Sequence, residues 1–326
     1  MTKKNKNALV LGVTGQGGSF MAKLLLEKKY TVYGLVRKSA TGNLKNILSI
    51  KDNKNFKILH GDLLDITSIF NAIKKSNADE IYNFADQDHV RWSYEIPSYS
   101  FSVTASAVIN ILELLKNNFP KIKYFQPLSS NMFGGTKNKK QNENEILTPK
   151  SIYGLGKVTA MHACKIYRDV FNLKIYGAIF YNHESEIRPE EYVTRKITKS
   201  VARIFYGKQK KLKLGNIKSK IDWGYAKDYI DISHKIMQQK KPDFFIIGSG
   251  KTYSVEYFVK KCFEYVGLNY KKFTVVDKKL FRPTNNSILQ ADIYKAKKIL
   301  KFKPKTSLDK LISIMMRNDL SIEQKD

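Results

Sequence analysis

Asn7-Ala8-Leu9-Val10-Leu11-Gly12-Val13-Thr14-Gly15-Gln16-Gly17-Gly18 decides how the rest of the chain is read. A continuous apolar run ends in a glycine-rich turn, and apolar positions at helical spacing follow over residues 19–29. An uninterrupted apolar run is what a strand buried on both faces requires. Glycines at the turn allow a tight reversal. They also let backbone N–H groups and a helix N-terminus approach a pyrophosphate. The spacing is GxxGxxG, and the strand–turn–helix context raises it above a lone glycine pattern. The bland alternative is a plain glycine-rich turn.

Outward from this unit the same rhythm continues. Short apolar runs recur at Tyr30–Val36, Lys57–His60, Glu80–Phe84, Lys123–Leu128 and Lys174–Phe180. Helical patterns such as Ser102–Lys116 and Tyr153–Val170 separate them. Alternating strand and helix predicts an α/β fold, a doubly wound parallel sheet of Rossmann type. After residue 180 the segments become short and mixed, with strands expected at Phe244–Ile247 and Phe273–Val276. This predicts a smaller mixed α/β C-terminal lobe. The Lys/Asn-rich stretch Thr136–Glu145 reads as a surface loop.

Composition bounds the function. The 326 residues are 42% hydrophobic and 12% aromatic, enough for a sizeable core. No run of about 18 apolar residues stands out, and the apolar start breaks into glycines without a cleavage site, so a cytoplasmic protein without a membrane span is expected. Lys and Arg total 58 against 29 Asp and Glu, a formal charge of +29. The lysines are scattered among asparagines, without Arg-rich or stacking motifs. A solvated basic surface is therefore favoured over nucleic-acid binding. Two distant cysteines and five unclustered histidines argue against a disulfide framework and a metal site.

Three further motifs carry chemistry. At the end of the second strand stands Arg37, where an acidic residue usually holds the ribose of NAD. That cation favours NADP, unless it stacks on the adenine and serves NAD equally. Asp62 follows a strand and either accepts from an adenine amine or caps the next helix. Tyr153-Gly154-Leu155-Gly156-Lys157 puts Tyr and Lys on one helical face. A lysine ammonium favours the phenolate, which can take a hydroxyl proton while hydride leaves the same carbon. Tyr192/Lys196, Tyr206/Lys210, Tyr257/Lys261 and Tyr294/Lys298 share the spacing, but only Tyr153 opens a helix after the fifth strand. Leu128-Ser129-Ser130-Asn131 ends that strand, and Ser129 can hydrogen-bond the reacting oxygen or simply cap a turn.

Across about residues 7–310 the chain resembles the extended short-chain dehydrogenases, and within them the GDP-mannose 4,6-dehydratases. The resemblance rests on Tyr82–Val90, Asn182–Ser185, Val193–Ile197, Leu214–Asn216, Asp222–Tyr229 and Arg282–Thr284. It implies a Rossmann domain over 1–180 plus 218–244 and a nucleotide-sugar lobe over 181–217 plus 245–326. It implies Ser129, Tyr153 and Lys157 as catalytic residues. It implies dinucleotide contacts from Gly12, Thr14, Gly15, Gln16, Gly18, Arg37, Asp62, Leu63, Phe84, Gln87, Tyr99, Tyr153, Lys157, His183 and Arg188. It implies GDP-sugar contacts from Ser129, Ser130, Asn131, Tyr153, Asn182, Val193, Thr194, Lys196, Asn216 and Arg282. A homodimer or homotetramer is implied, with an epimerase or reductase acting downstream.

The departures from the family pattern are specific. Where the dehydratases read Ser-Thr-Ser-Glu, this chain has Leu128-Ser129-Ser130-Asn131. An amide cannot replace the glutamate that takes the C5 proton and helps expel the C6 hydroxyl. Asp86 or Asp88 could substitute. Ile221 stands where an arginine is expected, and Asn285 where a glutamate is. The expectation is therefore oxidation of C4 of a GDP-linked hexose or heptose with NAD, or alternatively NADP, without dehydration. This is similar to the GDP-manno-heptose 4-dehydrogenases of capsule pathways. A working 4,6-dehydratase is the alternative, a 4-epimerase the third reading, and a non-catalytic nucleotide-sugar scaffold a fourth of another class.

Overall fold

A computed structural model describes residues 5–40, 42–281 and 288–325. The chain divides into two compact units. The first comprises Met1–Gly135, Glu145–Phe180 and Ile230–Phe245, and the second Thr136–Asn144, Tyr181–Tyr229 and Ile246–Asp326. The return to the first unit, expected over 218–244, spans Ile230–Phe245, and 136–144 belongs to the second unit.

The first unit is built on β1 (Asn7–Leu11), β2 (Thr31–Val36), β3 (Phe56–His60), β4 (Glu80–Asn83), β5 (Lys123–Ser129), β6 (Ile175–Phe180) and β7 (Phe244–Ile247). Their order is β7-β6-β5-β4-β1-β2-β3. The pairs among β1 to β6 run parallel, with Val10 opposite Gly34 and Tyr82. Four residues of β1 and all six of β6 are buried, as strands covered on both faces must be. Strand order reverses between β1 and β4, so the ends of those strands border the crevice where such sheets bind ligands.

Helices α1 (Gln16–Glu27), α2 (Ile66–Ser76), α3 (Ala107–Asn118) and α4 (Ile152–Asp169) cover this sheet. Pro97–Phe101 and a π-helical turn at Ser102–Ser106 lead into α3, where the sequence suggested one unbroken helix from Ser102. By length and composition alone, Pro97–Asn118 could cross a membrane. Here its apolar side chains Val103, Val108, Ile111, Leu112 and Leu115 are buried in the core. At the amino-terminal end of the sheet, buried Glu80 collects Lys6 Nζ at 2.9 Å, the Tyr82 hydroxyl at 2.8 Å and Gln238 Nε2 at 3.1 Å. Burial raises this carboxyl's pKa, but the three donors outweigh it and hold it below the ordinary value.

The second unit packs Ile197, Val201, Trp223, Phe258, Phe263, Leu311, Met315 and Met316 into its own core. A buried ion pair fastens it. Arg195 Nη2 lies 2.7 Å from Asp319 Oδ1, and the Thr198 hydroxyl donates to Asp319 at 2.6 Å. The stretch 136–145 is mostly irregular and exposed, as a surface loop would be, but one short pairing anchors it. Lys140–Gln141 pairs with Gln290–Ala291. Fully buried Gln141 accepts from the Tyr181 hydroxyl at 2.7 Å and from Gln290 N at 3.1 Å. Its amide satisfies backbone groups that a buried loop would otherwise orphan.

Candidate functional site

The turn after β1 is shaped by a close approach. Gly12 has φ +71°, and a Cβ there would lie 2.6 Å from Ala85 N. Only glycine lets the turn rest on the segment that leaves β4. A Cβ at Gly18 would lie 2.2 Å from the Gly12 carbonyl oxygen, which sets α1 tightly on the turn. Gly15 is the helix N-cap, and Gln16 starts the first turn. The first N–H groups of a helix have no intrahelical acceptors, so this end is a cradle for a diphosphate. The carbonyl of Thr14 accepts from Asn46 Nδ2 at 2.9 Å.

Farther along the same sheet edge, Arg37 Nη1 donates to the Tyr99 hydroxyl at 3.1 Å, joining two residues expected at the dinucleotide. Asp62 does not cap α2. Asp65 does, accepting from Thr67 N and Ser68 N, while Asp62 Oδ1 closes a local turn with Leu64 N at 2.9 Å. The two aspartates are three residues apart, and the sequence fits either as the cap. Leu63 is buried, and Phe84 lies against Gly17. Gln87 is buried; its Nε2 donates to the His89 carbonyl, while its Oε1 has no hydrogen-bond partner. An orphaned buried acceptor is costly unless a ligand donor meets it. The glycine cradle, the Arg37–Tyr99 pair and this acceptor fit a dinucleotide.

Ser129 ends β5 with extended backbone and caps a 3-10 turn at Ser130–Phe133, Ser130 being buried inside it. Ser129 Oγ accepts from Asn131 N at 3.2 Å and from Asn131 Nδ2 at 3.1 Å. Ser151 caps α4 by accepting from Gly154 N at 3.0 Å, and this places Tyr153 in the first turn. A Cβ at Gly154 would lie 2.7 Å from the Asn131 carbonyl oxygen. Glycine thus brings the Tyr153 turn directly onto the Ser129–Asn131 turn. Two residues on, a Cβ at Gly156 would lie 3.0 Å from Thr104 Cβ, so the π-helical turn also packs against α4. The two glycines inside the Tyr–Lys motif are therefore spacers for the site.

Lys157 is buried. Its Nζ donates to the Pro127 carbonyl at 2.9 Å, pairs with Asp86 Oδ2 at 2.5 Å and lies 5.7 Å from the Tyr153 ring centroid. Asp86 also accepts from the Thr104 hydroxyl at 2.7 Å and from Gln87 N at 2.8 Å. Asp86 thus belongs to the lysine. The sequence weighed it only as a replacement acid and gave no sign of Thr104. Asp88 is exposed. Among the described residues no group of three His, Cys, Asp or Glu could hold a metal ion.

In the second unit, Asn182–Glu184 pairs with Trp223–Tyr225. Asn182 is exposed, and His183 stacks on Tyr229 at 5.2 Å. Arg188 lies over the Tyr192 ring at 3.4 Å and pairs with Glu184 at 3.6 Å. Val193 and Lys196 are half-buried on the first turn of the helix Val193–Phe205. Thr194 is fully buried and donates to Glu184 at 2.6 Å. Asn216 is exposed and accepts from Lys218 N at 3.0 Å. Asp222 is caged by Ser249 N, Gly250 N and Ala291 N, and burial pushes its carboxyl up. Arg282 and Asn285 lie outside the described residues.

Comparison with known proteins agrees with this geometry. The chain shares its fold with dTDP-glucose 4,6-dehydratase from Bacillus anthracis, solved with NAD, at a TM-score of 0.85 and 21% identity over 98% of each chain. UDP-glucuronic acid 4-epimerase from Bacillus cereus, solved with UDP-glucuronic acid and NAD, gives 0.84 and 21% over 97% of this chain and 99% of that one. GDP-mannose 4,6 dehydratase 1 of Arabidopsis thaliana is 40% identical, covering 100% of this chain and 93% of its own. The human GDP-mannose 4,6 dehydratase is 34% identical over 99% and 93%. With residues 9–315 matching the GDP-mannose 4,6 dehydratase family as well, a chain whose Tyr–Lys helix is seated on its serine turn by Gly154 belongs to that family.

Proposed function

We propose that this protein oxidises C4 of a GDP-linked, mannose-type sugar as the opening step of a 4,6-dehydration. The juxtaposition of Tyr153, Lys157 and Ser129 around Gly154 is the observation that carries the reading. Tyr153 takes the O4 proton. Lys157, fixed by Pro127 and Asp86, holds positive charge beside the ring. Ser129 donates to the oxygen as it becomes a carbonyl. A bound NAD or NADP supplies the acceptor for the C4 hydride. The glycine cradle, Arg37, Tyr99 and Gln87 would hold it. Asn182, Lys196 and Asn216 would engage the GDP-sugar.

The dehydratase relatives favour completion of the reaction. Completion would remove water across C5 and C6, with the hydride taken from C4 ending on C6. One observation favours a second reading, in which the protein stops at the 4-keto sugar, as a GDP-manno-heptose dehydrogenase would. The resemblance to the dehydratases implies a glutamate where Asn131 stands, and the described Asp86 carboxylate is engaged by Lys157, Thr104 and Gln87 rather than free to replace it. Incubation with GDP-mannose in deuterated water, followed by mass spectrometry, separates the two. A product lighter by one water supports dehydration. Accumulated reduced cofactor with the C6 oxygen retained supports the second reading. Neither product from GDP-mannose or GDP-manno-heptose would refute C4 oxidation. Mass spectrometry of cofactor extracted from the purified protein distinguishes NAD from NADP.

A further inference from the structure

A serine hydroxyl has two acceptor lone pairs and one donor hydrogen. Ser129 Oγ receives two N–H groups, both from Asn131: the backbone N at 3.2 Å and Nδ2 at 3.1 Å. With both lone pairs taken, its hydrogen is the one function left to it. Ser129 is buried at the end of β5, and the turn that holds it is pinned by the contact of the Asn131 carbonyl with Gly154, next to Tyr153.

We propose that Asn131 is a positioning residue that fixes Ser129 as a hydrogen-bond donor toward the reacting C4 oxygen. The inference rests on C4 oxidation and holds whether or not water is later lost. As the O4 proton leaves, negative charge builds on that oxygen, and a donor already aimed at it stabilises the transition state more than the alcohol. A serine free to rotate could instead accept from the O4 hydroxyl and favour the ground state. A carboxylate at position 131 would accept the Ser129 hydrogen and turn it away from the substrate. The amide therefore suits oxidation in a way a short acid would not.

The test uses Asn131→Asp, which keeps the shape and removes the Nδ2 donor, and Asn131→Ala, each in the wild-type and Ser129→Ala backgrounds. Hydride transfer is read by stopped-flow absorbance of reduced nicotinamide in a single turnover with GDP-mannose. Binding of GDP-mannose is read by calorimetry. Asn131→Ala should slow hydride transfer about tenfold, the scale of one lost hydrogen bond. Asn131→Asp should slow it about a hundredfold, the scale of a lost oxyanion donor. Dissociation constants should stay within about twofold of wild type, since the donor acts mainly on the developing charge. In the Ser129→Ala background neither change should slow it further, because they act through that hydroxyl. Wild-type rates in both single variants, or equal losses with and without Ser129, would overturn the proposal. A wild-type protein that binds GDP-mannose but reduces no cofactor would instead refute C4 oxidation itself, and this inference with it.

Discussion

Gly154→Ala tests whether glycine inside the Tyr–Lys motif is a spacer for catalysis. The added Cβ would stand 2.7 Å from the Asn131 carbonyl oxygen and 3.2 Å from Ser151 Oγ. Real Cβ contacts do not fall below 3.0 Å, and the obstacle is backbone, so either α4 or the 3-10 turn must move by about 0.5 Å. Overpacking of this kind costs about 1–3 kcal/mol. Alanine recovers up to about 1 kcal/mol of helix propensity. The net destabilisation is therefore about 0–2 kcal/mol, a small fall in the midpoint of thermal unfolding. The effect on rate should be larger, because the displaced turn carries Ser129. Misplacement by 1 Å can cost about a hundredfold, so half of that predicts a loss of about tenfold in hydride transfer. Gly156→Ala is the milder comparison: its Cβ would meet Thr104 Cβ and Cγ2 at 3.0 Å, a smaller overlap than at Gly154, so a smaller loss is expected. Thermal unfolding and single-turnover absorbance at the nicotinamide band measure the two effects separately. A Gly154→Ala protein that is more stable and oxidises at the wild-type rate would refute the spacer argument.

Tyr153→Phe should abolish C4 oxidation and leave GDP-sugar affinity nearly unchanged, since the ring and its packing remain; stopped-flow absorbance and calorimetry together check this. Asp319→Ala should cost about 3–5 kcal/mol in urea unfolding, because it leaves Arg195 buried without its carboxylate; a loss below 1 kcal/mol would mean that the Arg195 cation finds water. His234 lies beside Tyr30, and burial, helped by the nearby Lys28 and Lys6 charges, lowers its pKa from 6.5 to about 4. The unfolded chain then binds a proton that the folded one refuses, so stability should be intact above about pH 6.5 and fall on acidification toward pH 4. A shift of this size corresponds to roughly 3 kcal/mol in full and to about 1–2 kcal/mol after allowance for the partial exposure of the ring. Chemical denaturation at pH 7 and pH 5 should show that fall in the wild type and a smaller one in His234→Gln. Equal slopes would place the acid sensitivity elsewhere.

The strands of the first unit were legible because a parallel strand covered on both faces must be apolar without interruption, as Ala8–Leu11 and Ile175–Phe180 are. Gly12 was legible for a related reason: the left-handed turn and the contact with Ala85 leave no room for a side chain. Tyr153 stands out from five equivalent spacings only because its helix follows the fifth strand. What stayed hidden was whatever depends on two distant segments meeting. The Lys/Asn-rich run around Gln141 reads as solvated because its buried residues, Thr136 and Gln141, are polar, and polarity does not reveal burial until partners such as Tyr181 and Gln290 are supplied. The break at Ser102–Ser106 escaped because a π turn keeps nearly the same apolar spacing as the helix it interrupts. The site shows the limit most sharply. Asp86 and Lys157 lie seventy-one positions apart in the chain, and neither window implies the other. Their contact requires β4 beside β5, so that the loop after β4 faces the strand whose Pro127 carbonyl holds the ammonium. It also requires Gly156, which admits Thr104 and lets its hydroxyl steady the same carboxylate. Periodicity reports what one element buries. The charge that faces a catalytic lysine is decided by which elements become neighbours, and the sheet order sets that.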